Sequence, residues 1–404
     1  MTPKLACPFC YSTIKSRREL WFQCQGKATA LHDACRPTVD EARRRLTGFS
    51  EPTLPPFRPG DEFTITTPRK GQCPVCGGES KVRVCPECHT RLPYEFGISA
   101  SPLVAMIGAK GTGKTVYLTV LSEVLQSERI RTDFNVDVHP IGDGLDGFTS
   151  ASQWVQQNVR RVYRDHQLFP ATTQAIDGRK EPLVLEWRSE QARRFGPFGR
   201  RRLRTNYLSF YDTAGEDLSS QSNAHELHYL RAAHSLILLL DPFQLPKAQQ
   251  RLGLPPSAIT SKEPTRQVLA RVTEALKHSD NWDGEKITIP VAVAFVKMDA
   301  FYDELGATHP LRNQPRMVGG YDEVAGRNTH EQVAALLDYW GGGDINNHLH
   351  INYRTYQYFF VSALGAQPDY DTATVSPGGV QPYRVEEPLL WLLRKGNVLP
   401  KVRR

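Results

Sequence analysis

The sequence predicts an α/β protein, a mostly parallel six-stranded sheet preceded by two small zinc-binding modules. Three observations carry this expectation. All eight cysteines fall between Cys7 and Cys88. From about residue 98 onward, short aliphatic and β-branched runs alternate with amphipathic stretches, and a glycine-rich loop stands between the first run and the first amphipathic stretch. Such alternation marks parallel strands joined by helices that cover the sheet. The 404 residues leave room for two or three domains. Apolar residues at 40% and charged residues at 23% exclude wholesale disorder and fibrous repeats.

The first module is expected over residues 1–46. It carries Cys7-Pro8-Phe9-Cys10, Cys24 and Cys35, with His32 as a replacement ligand or simply a surface residue. Residues 47–68, which include Glu51-Pro52-Thr53-Leu54-Pro55-Pro56, read as a stiff linker. The second module, residues 69–97, holds Cys73-Pro74-Val75-Cys76 and Cys85-Pro86-Glu87-Cys88. Each Cys-x-x-Cys turn brings two thiolates to one side, and two turns facing each other complete four sulfur ligands for a tetrahedral cation. Zinc suits that soft, closed geometry, so two Zn²⁺ are expected. His89, beside a full set, reads as a neighbour rather than a ligand. Four protein ligands leave no open position for catalysis, so these modules provide shape or partner contact.

Six strands are expected at Leu103–Ile107, Leu183–Trp187, Tyr207–Tyr211, Leu236–Leu240, Val291–Val296 and Tyr356–Val361. Helical patterns lie at Lys114–Leu125, Gln153–Tyr163, Glu226–Ala233, Thr265–Lys277, Glu331–Tyr339 and Glu386–Lys395, with surface insertions at Pro242–Glu263 and Tyr302–His330. The longest apolar run, Ser235–Leu240, is far short of the ~20 residues that cross a bilayer, and the start lacks a signal-peptide core, so the expected location is the cytoplasm.

The loop Gly108-Ala109-Lys110-Gly111-Thr112-Gly113-Lys114-Thr115, followed by Val116, matches G-x-x-x-x-G-K-[ST] between a strand and a helix. Its glycines let backbone N–H groups wrap phosphates, and the helix start adds its positive dipole end. Lys114 is placed to reach the β and γ phosphates and Thr115 to offer its hydroxyl to Mg²⁺. Asp212-Thr213-Ala214-Gly215-Glu216 follows a strand, with a carboxylate able to hold Mg²⁺ through water and a glycine N–H able to sense a γ-phosphate. Further strands end in Val296-Lys297-Met298-Asp299 and Ser362-Ala363-Leu364.

In this order the motifs resemble the translation-factor and Ras-like class of P-loop GTPases, over about residues 101–396 of a domain drawn at 98–400. The resemblance implies binding of GTP and GDP with Mg²⁺, and hydrolysis. Asp299 would accept hydrogen bonds from the guanine N1 and N2 edge, Lys297 would lay its stem over the base, and the Ala363 N–H would contact O6. Thr172 or Thr173, in Pro170-Ala171-Thr172-Thr173, would ligate Mg²⁺ and read the γ-phosphate. Two positions depart from the pattern: Val296 stands where the family has Asn or Thr, and Glu216 where Ras-like members have the glutamine that orients water. The cysteine modules, the D-T-A-G-E form and about 45 residues between the first helix and Pro170 resemble bacterial GTPases of the double-GTPase type. That likeness implies a protein partner, such as a second GTPase, in a multi-protein conflict or signalling system.

The net charge of +7 is concentrated, since residues 188–204 hold seven arginines against one glutamate. That stretch reads as a solvated hairpin tip, or as a dock for an acidic protein, nucleic acid or anionic lipid. Asp241, at a strand end, reads as structural. The competing function is a zinc-ribbon nucleic-acid-binding protein with an ATP-driven P-loop domain, but no second basic surface interleaved with aromatics supports it.

Overall fold

The computed structural model describes residues 5–30, 32–59, 68–98, 101–142, 150–169, 182–192, 201–210, 229–259, 264–315 and 317–400. The chain divides into two compact units. One comprises Met1–Leu103, His139–Gln153 and Gln174–Tyr211; the other comprises Val104–Val138, Trp154–Thr173 and Asp212–Arg404.

The first unit begins with eight short strands: β1 (Leu5–Ala6), β2 (Thr13–Ile14), β3 (Trp21–Gln23), β4 (Pro56–Phe57), β5 (Gly71–Gln72), β6 (Glu79–Ser80), β7 (Arg83–Val84) and β8 (Arg91–Leu92). Three hairpins, β1-β2, β5-β6 and β7-β8, each enclose one Cys-x-x-Cys turn. Strand β3 pairs antiparallel with both β4 and β7, so the order β4-β3-β7-β8 ties the front of the chain to the segment after residue 68. A helix, α1 (Glu41–Thr47), starts where the Asp40 carboxylate accepts the Arg43 N–H and stops at Gly48, which takes a left-handed φ of 82°.

The second unit is built on four parallel strands, β9 (Val104–Gly108), β13 (Ser235–Leu240), β14 (Val291–Phe295) and β15 (Tyr356–Phe360), in the order β15-β14-β13-β9. Nearly all of their residues are buried, as continuous apolar runs covered on both faces require. Helices α2 (Lys114–Leu125), α3 (Glu128–Phe134), α5 (Pro246–Leu252), α6 (Thr265–Lys277), α7 (Glu323–Tyr339), α8 (Gly343–Asn352) and α9 (Glu387–Lys395) belong to this unit, and α4 (Ser150–Val159) runs into a π-turn over Arg160–Arg164.

The expected mostly parallel six-stranded sheet is corrected to a parallel sheet of four strands and a further sheet of three. All six strands form, but β11 (Leu183–Ala192) and β12 (Arg201–Phe210) pair antiparallel along ten residues, and with β10 (Val136–Ile141) they make a three-stranded sheet in the order β10-β11-β12, whose Ser209 forms a parallel bridge to Leu103, the residue before β9. The short connection between β11 and β12 leaves no room for a crossover helix, so antiparallel pairing follows. Strand β10 escaped notice because only Val136 and Val138 alternate into the interior before His139, Pro140 and Ile141. Helix α7 begins eight residues before the expected Glu331, because the Asp322 carboxylate caps the Val324 and Ala325 N–H groups. No helix among the described residues is long and apolar enough to cross a membrane.

Candidate functional site

The cysteines form two tetrads, Cys7/Cys10/Cys85/Cys88 and Cys24/Cys35/Cys73/Cys76, with the sulfurs of each set within 4.8 Å of one another. This corrects the grouping by sequence order. The sets are nested: the outer one joins the first and third hairpins, while the inner one joins the second hairpin to Cys24 and Cys35. The pairing of β3 with β7 brings Cys24, the residue after β3, away from the first turn, and sequence spacing carries no record of that pairing. His32 belongs to neither set and is exposed.

Each Cys-x-x-Cys turn has the same backbone. The N–H of the residue after the second cysteine returns to the first cysteine's carbonyl: Tyr11 to Cys7 at 2.9 Å, Gly77 to Cys73 at 2.9 Å and His89 to Cys85 at 3.0 Å. That residue is left-handed in all three, with φ of 64° at Tyr11, 70° at Gly77 and 55° at His89. His89 donates its Nδ1–H to the Asp40 carboxylate at 2.8 Å and stacks on Trp21, so it braces the turn from outside the tetrad.

The donor geometry fits zinc. A tetrahedral S₄ site with Zn–S near 2.3 Å sets sulfurs about 3.8 Å apart, and the Sγ–Sγ separations are 3.8 Å for Cys7–Cys88, 3.7 Å for Cys10–Cys85, 3.4 Å for Cys24–Cys76 and 3.9 Å for Cys35–Cys73. The outer tetrad is buried among Phe9, Leu20, Phe49 and Phe96. Burial pushes the Cys7 and Cys88 thiols well above their ordinary value, a penalty that a shared cation would offset. Each tetrad can therefore hold one zinc ion.

In the second unit, the parallel register aligns four strand ends along one edge. Gly108 lies beside Leu239, Leu240 beside Phe295, and Phe295 beside Phe360. Loops after the carboxyl ends of parallel strands line the crevice where α/β sheets bind ligands. The Gly108–Thr115 loop occupies this edge after β9. A Cβ on Gly108 would stand 2.8 Å from the Thr112 hydroxyl and 2.9 Å from the Leu239 carbonyl, so only glycine lets β9 lie this close to its loop and neighbour. Gly111 and Gly113 are left-handed, with φ of 81° and 88°. The hydroxyl and N–H of Thr112 both return to the Ala109 carbonyl. Helix α2 has Gly113 as its cap, a residue with no side chain to offer the helix start, as is usual where a glycine-rich loop binds an anion.

Lys114, the first residue of α2, is buried, and its ammonium donates to the Gly108 carbonyl at 2.7 Å and the Ala109 carbonyl at 3.0 Å. The loop thus holds a cation over its own backbone. Thr115 and Val116 follow on the first turn of α2.

The same edge gathers the later motifs. Lys297 follows β14 with φ of 61° and donates to the Asp241 carboxylate at 2.7 Å. Asp241, buried at the end of β13, also accepts the Phe243 N–H at 3.0 Å, and the Lys297 ammonium stands 4.5 Å from the centre of the Phe243 ring. Val296 is buried and continues the ladder by donating its N–H to Leu240. Asp299 is buried and accepts a hydrogen bond from the Ser362 hydroxyl, which in turn accepts the Gly365 N–H at 2.8 Å. Burial pushes the Asp299 carboxyl above its ordinary value, against the opposing pull of Ser362 and of the Lys297 charge. Ala363 and Leu364 follow, half-buried. The fold therefore brings Lys114, Lys297, Asp299 and Ser362 to one sheet edge. Thr172, Thr173, Asp212, Gly215 and Glu216 lie outside the described residues.

Sequence reading missed the part that Asp241 and Phe243 play here. The available signal was register: Asp241 follows the strand that pairs with β14, so its carboxylate meets whatever follows Phe295.

No family model matches the chain. The chain is 27% identical over 431 aligned positions to the putative ESX-1 scaffolding and assembly protein SaeC of Mycolicibacterium smegmatis, covering 97% of this chain and 99% of that protein. A chain of the signal recognition particle receptor SRb-GTP/SRX complex from Chaetomium thermophilum matches with a TM-score of 0.28 and 13% identity, covering 67% of this chain and 94% of that one, a likeness too slight to carry an argument. The similarity to the mycobacterial protein covers nearly the whole length of both chains.

Proposed function

We propose that the chain is a GTP-binding and hydrolysing switch whose cysteine tetrads hold two zinc ions and shape a surface for protein partners in a bacterial multi-protein system. The observation that carries this reading is the loop Gly108–Thr115 with the Lys114 ammonium poised over its carbonyls, on the same sheet edge as Asp299 and Ser362. Phosphates would replace the two carbonyls as partners of Lys114, while N–H groups at the start of α2 would take part of the remaining charge. The Asp299 carboxylate, fixed by Ser362, would select guanine through its N1 and N2 donors, which adenine lacks. Thr115 and Asp212 would hold Mg²⁺, whose charge offsets that of the phosphates. Thr172 or Thr173 and the Gly215 N–H would read the terminal phosphate, with Glu216 beside the attacking water. The name of the mycobacterial relative, scaffolding and assembly, supports protein partners for this chain.

Calorimetric titration with GDP, GTP and ATP in the presence of Mg²⁺ tests the proposal. Guanine nucleotides should bind and ATP should compete poorly; Lys114→Ala should abolish binding, and Asp299→Asn should cut guanine over adenine selectivity about 100-fold through two charge-assisted hydrogen bonds. Equal affinity for ATP and GTP would overturn the guanine assignment and favour the ATP-driven alternative.

A further inference from the structure

The turn after Ser362 brings an aromatic residue to the same edge. The rings of Tyr370 and Phe243 meet edge to face with centroids 6.5 Å apart, and Phe243 is the ring under the Lys297 ammonium. The Tyr370 hydroxyl oxygen is buried and meets no hydrogen-bond partner among the described residues. A buried hydroxyl without a partner calls for an explanation, because such groups are almost always satisfied. Burial, with the charges of Asp299 and Asp241, pushes the phenol above its ordinary value, so the group stays a neutral donor facing that acidic corner.

The residue is held in place rather than left to wander. Asp369 and Thr374 exchange backbone hydrogen bonds at 2.9 and 3.2 Å, and the Asp369 carboxylate accepts the N–H groups of Asp371 and Thr372, closing a tight turn around Tyr370. The far side of the turn is tied to the segment after the π-turn, through Leu168 N–H to Ala373 at 2.8 Å and Val375 N–H to His166 at 2.8 Å. Its base is fixed by paired bonds between Ser362 and Tyr383 and by the Gln381 N–H to Leu364. A pre-set donor at a ligand edge binds without the loss of side-chain freedom that a mobile one incurs.

We propose that Tyr370 is a nucleoside-contacting residue, its hydroxyl satisfied by a polar atom of the base or ribose of the bound nucleotide. The inference rests on the nucleotide-binding reading. Tyr370→Phe tests it, with GDP and ADP as calorimetric probes of the full-length chain and thermal unfolding of the nucleotide-free protein as the second readout. The expected result is GDP affinity about tenfold weaker, one hydrogen bond's worth, with a nucleotide-free unfolding midpoint that is unchanged or higher because an unpartnered buried hydroxyl has been removed. A fall in guanine affinity alone places the hydroxyl on the base edge, and an equal fall for both nucleotides places it on the ribose. Unchanged affinity in Tyr370→Phe, with wild-type binding intact, overturns the inference and leaves the nucleotide reading standing. Weaker binding accompanied by a lower nucleotide-free midpoint also overturns it, since that is the mark of a structural hydroxyl. A wild-type chain that binds neither nucleotide overturns both.

Discussion

Two double variants distinguish the nested tetrads from a grouping by sequence order, and the two arrangements give opposite counts. Cys7 and Cys88 have sulfurs 3.8 Å apart in the outer tetrad, whereas Cys7 and Cys24 fall in different tetrads. A structural zinc site contributes about 10–16 kcal/mol of apparent binding free energy, as much as the whole net stability of a typical protein, about 5–15 kcal/mol. Two or three remaining thiolates do not retain the metal against that loss, so each broken tetrad should read as one missing ion. Elemental analysis of protein purified without added metal should find two zinc ions per wild-type chain, one in Cys7→Ser/Cys88→Ser and none in Cys7→Ser/Cys24→Ser. Finding none in the first variant and one in the second would refute the nested arrangement.

Other expectations follow from single interactions. Lys297→Ala leaves the Asp241 carboxylate, 1% exposed, without its 2.7 Å partner, and should destabilise the second unit by about 3–5 kcal/mol; adding Asp241→Asn should recover much of this, as read by denaturant midpoints, and a double variant no more stable than the single one would refute the pair's role. At low pH the sheet formed by β10, β11 and β12 should weaken through Glu186. Burial draws its carboxyl up, but the hydrogen bond from His139 and the charge of Arg188 outweigh burial and hold it below its ordinary value. A depressed carboxyl contributes stability that is present above the ordinary value of about 4.3 and is lost as pH falls through the folded one. Glu186→Gln should therefore flatten the acid limb of the wild-type stability curve, and identical acid limbs would refute the assignment.

What could be read in advance was whatever the chain expresses locally. Strands β9, β13, β14 and β15 announce themselves as continuous apolar runs, because both of their faces are buried, and α2 and α6 were placed to the residue. The Gly108–Thr115 loop was legible because glycine conformations and strand and helix flanks are local properties. Tetrad membership was not, because it depends on β3 choosing β7 as a partner across about 60 residues, a choice made by packing and not by spacing. Asp241 looked like an ordinary strand terminus, since one acidic residue has no local pattern that names its partner. Tyr370 lay in a stretch of turn residues whose path is set by backbone bridges to residues 166–168. The antiparallel turn-over between β11 and β12 is legible in the short connection between them, but the addition of β10 to it is not.

The nesting of the two tetrads also bears on the order in which the chain can assemble as it is made. Proteins emerge N-terminus first, so the inner set has all its ligands once Cys76 is out, before Cys85 and Cys88 appear. The pair that opened last closes first, like brackets inside brackets, and neither closure requires the chain to pass through a loop already sealed. Cys10 and Cys85 are 75 positions apart. With residues 24–76 already clamped, only residues 10–24 and 76–85, about 23 positions, remain to be closed by the outer set. On a logarithmic loop-closure scale the shortening from 75 to about 23 lowers the entropy cost by about 1 kcal/mol. Metal capture by the inner set on the nascent chain would thus prepare the outer set to close, and would make the proline-rich stretch between Cys35 and Cys73 a closed loop during synthesis rather than a free hinge.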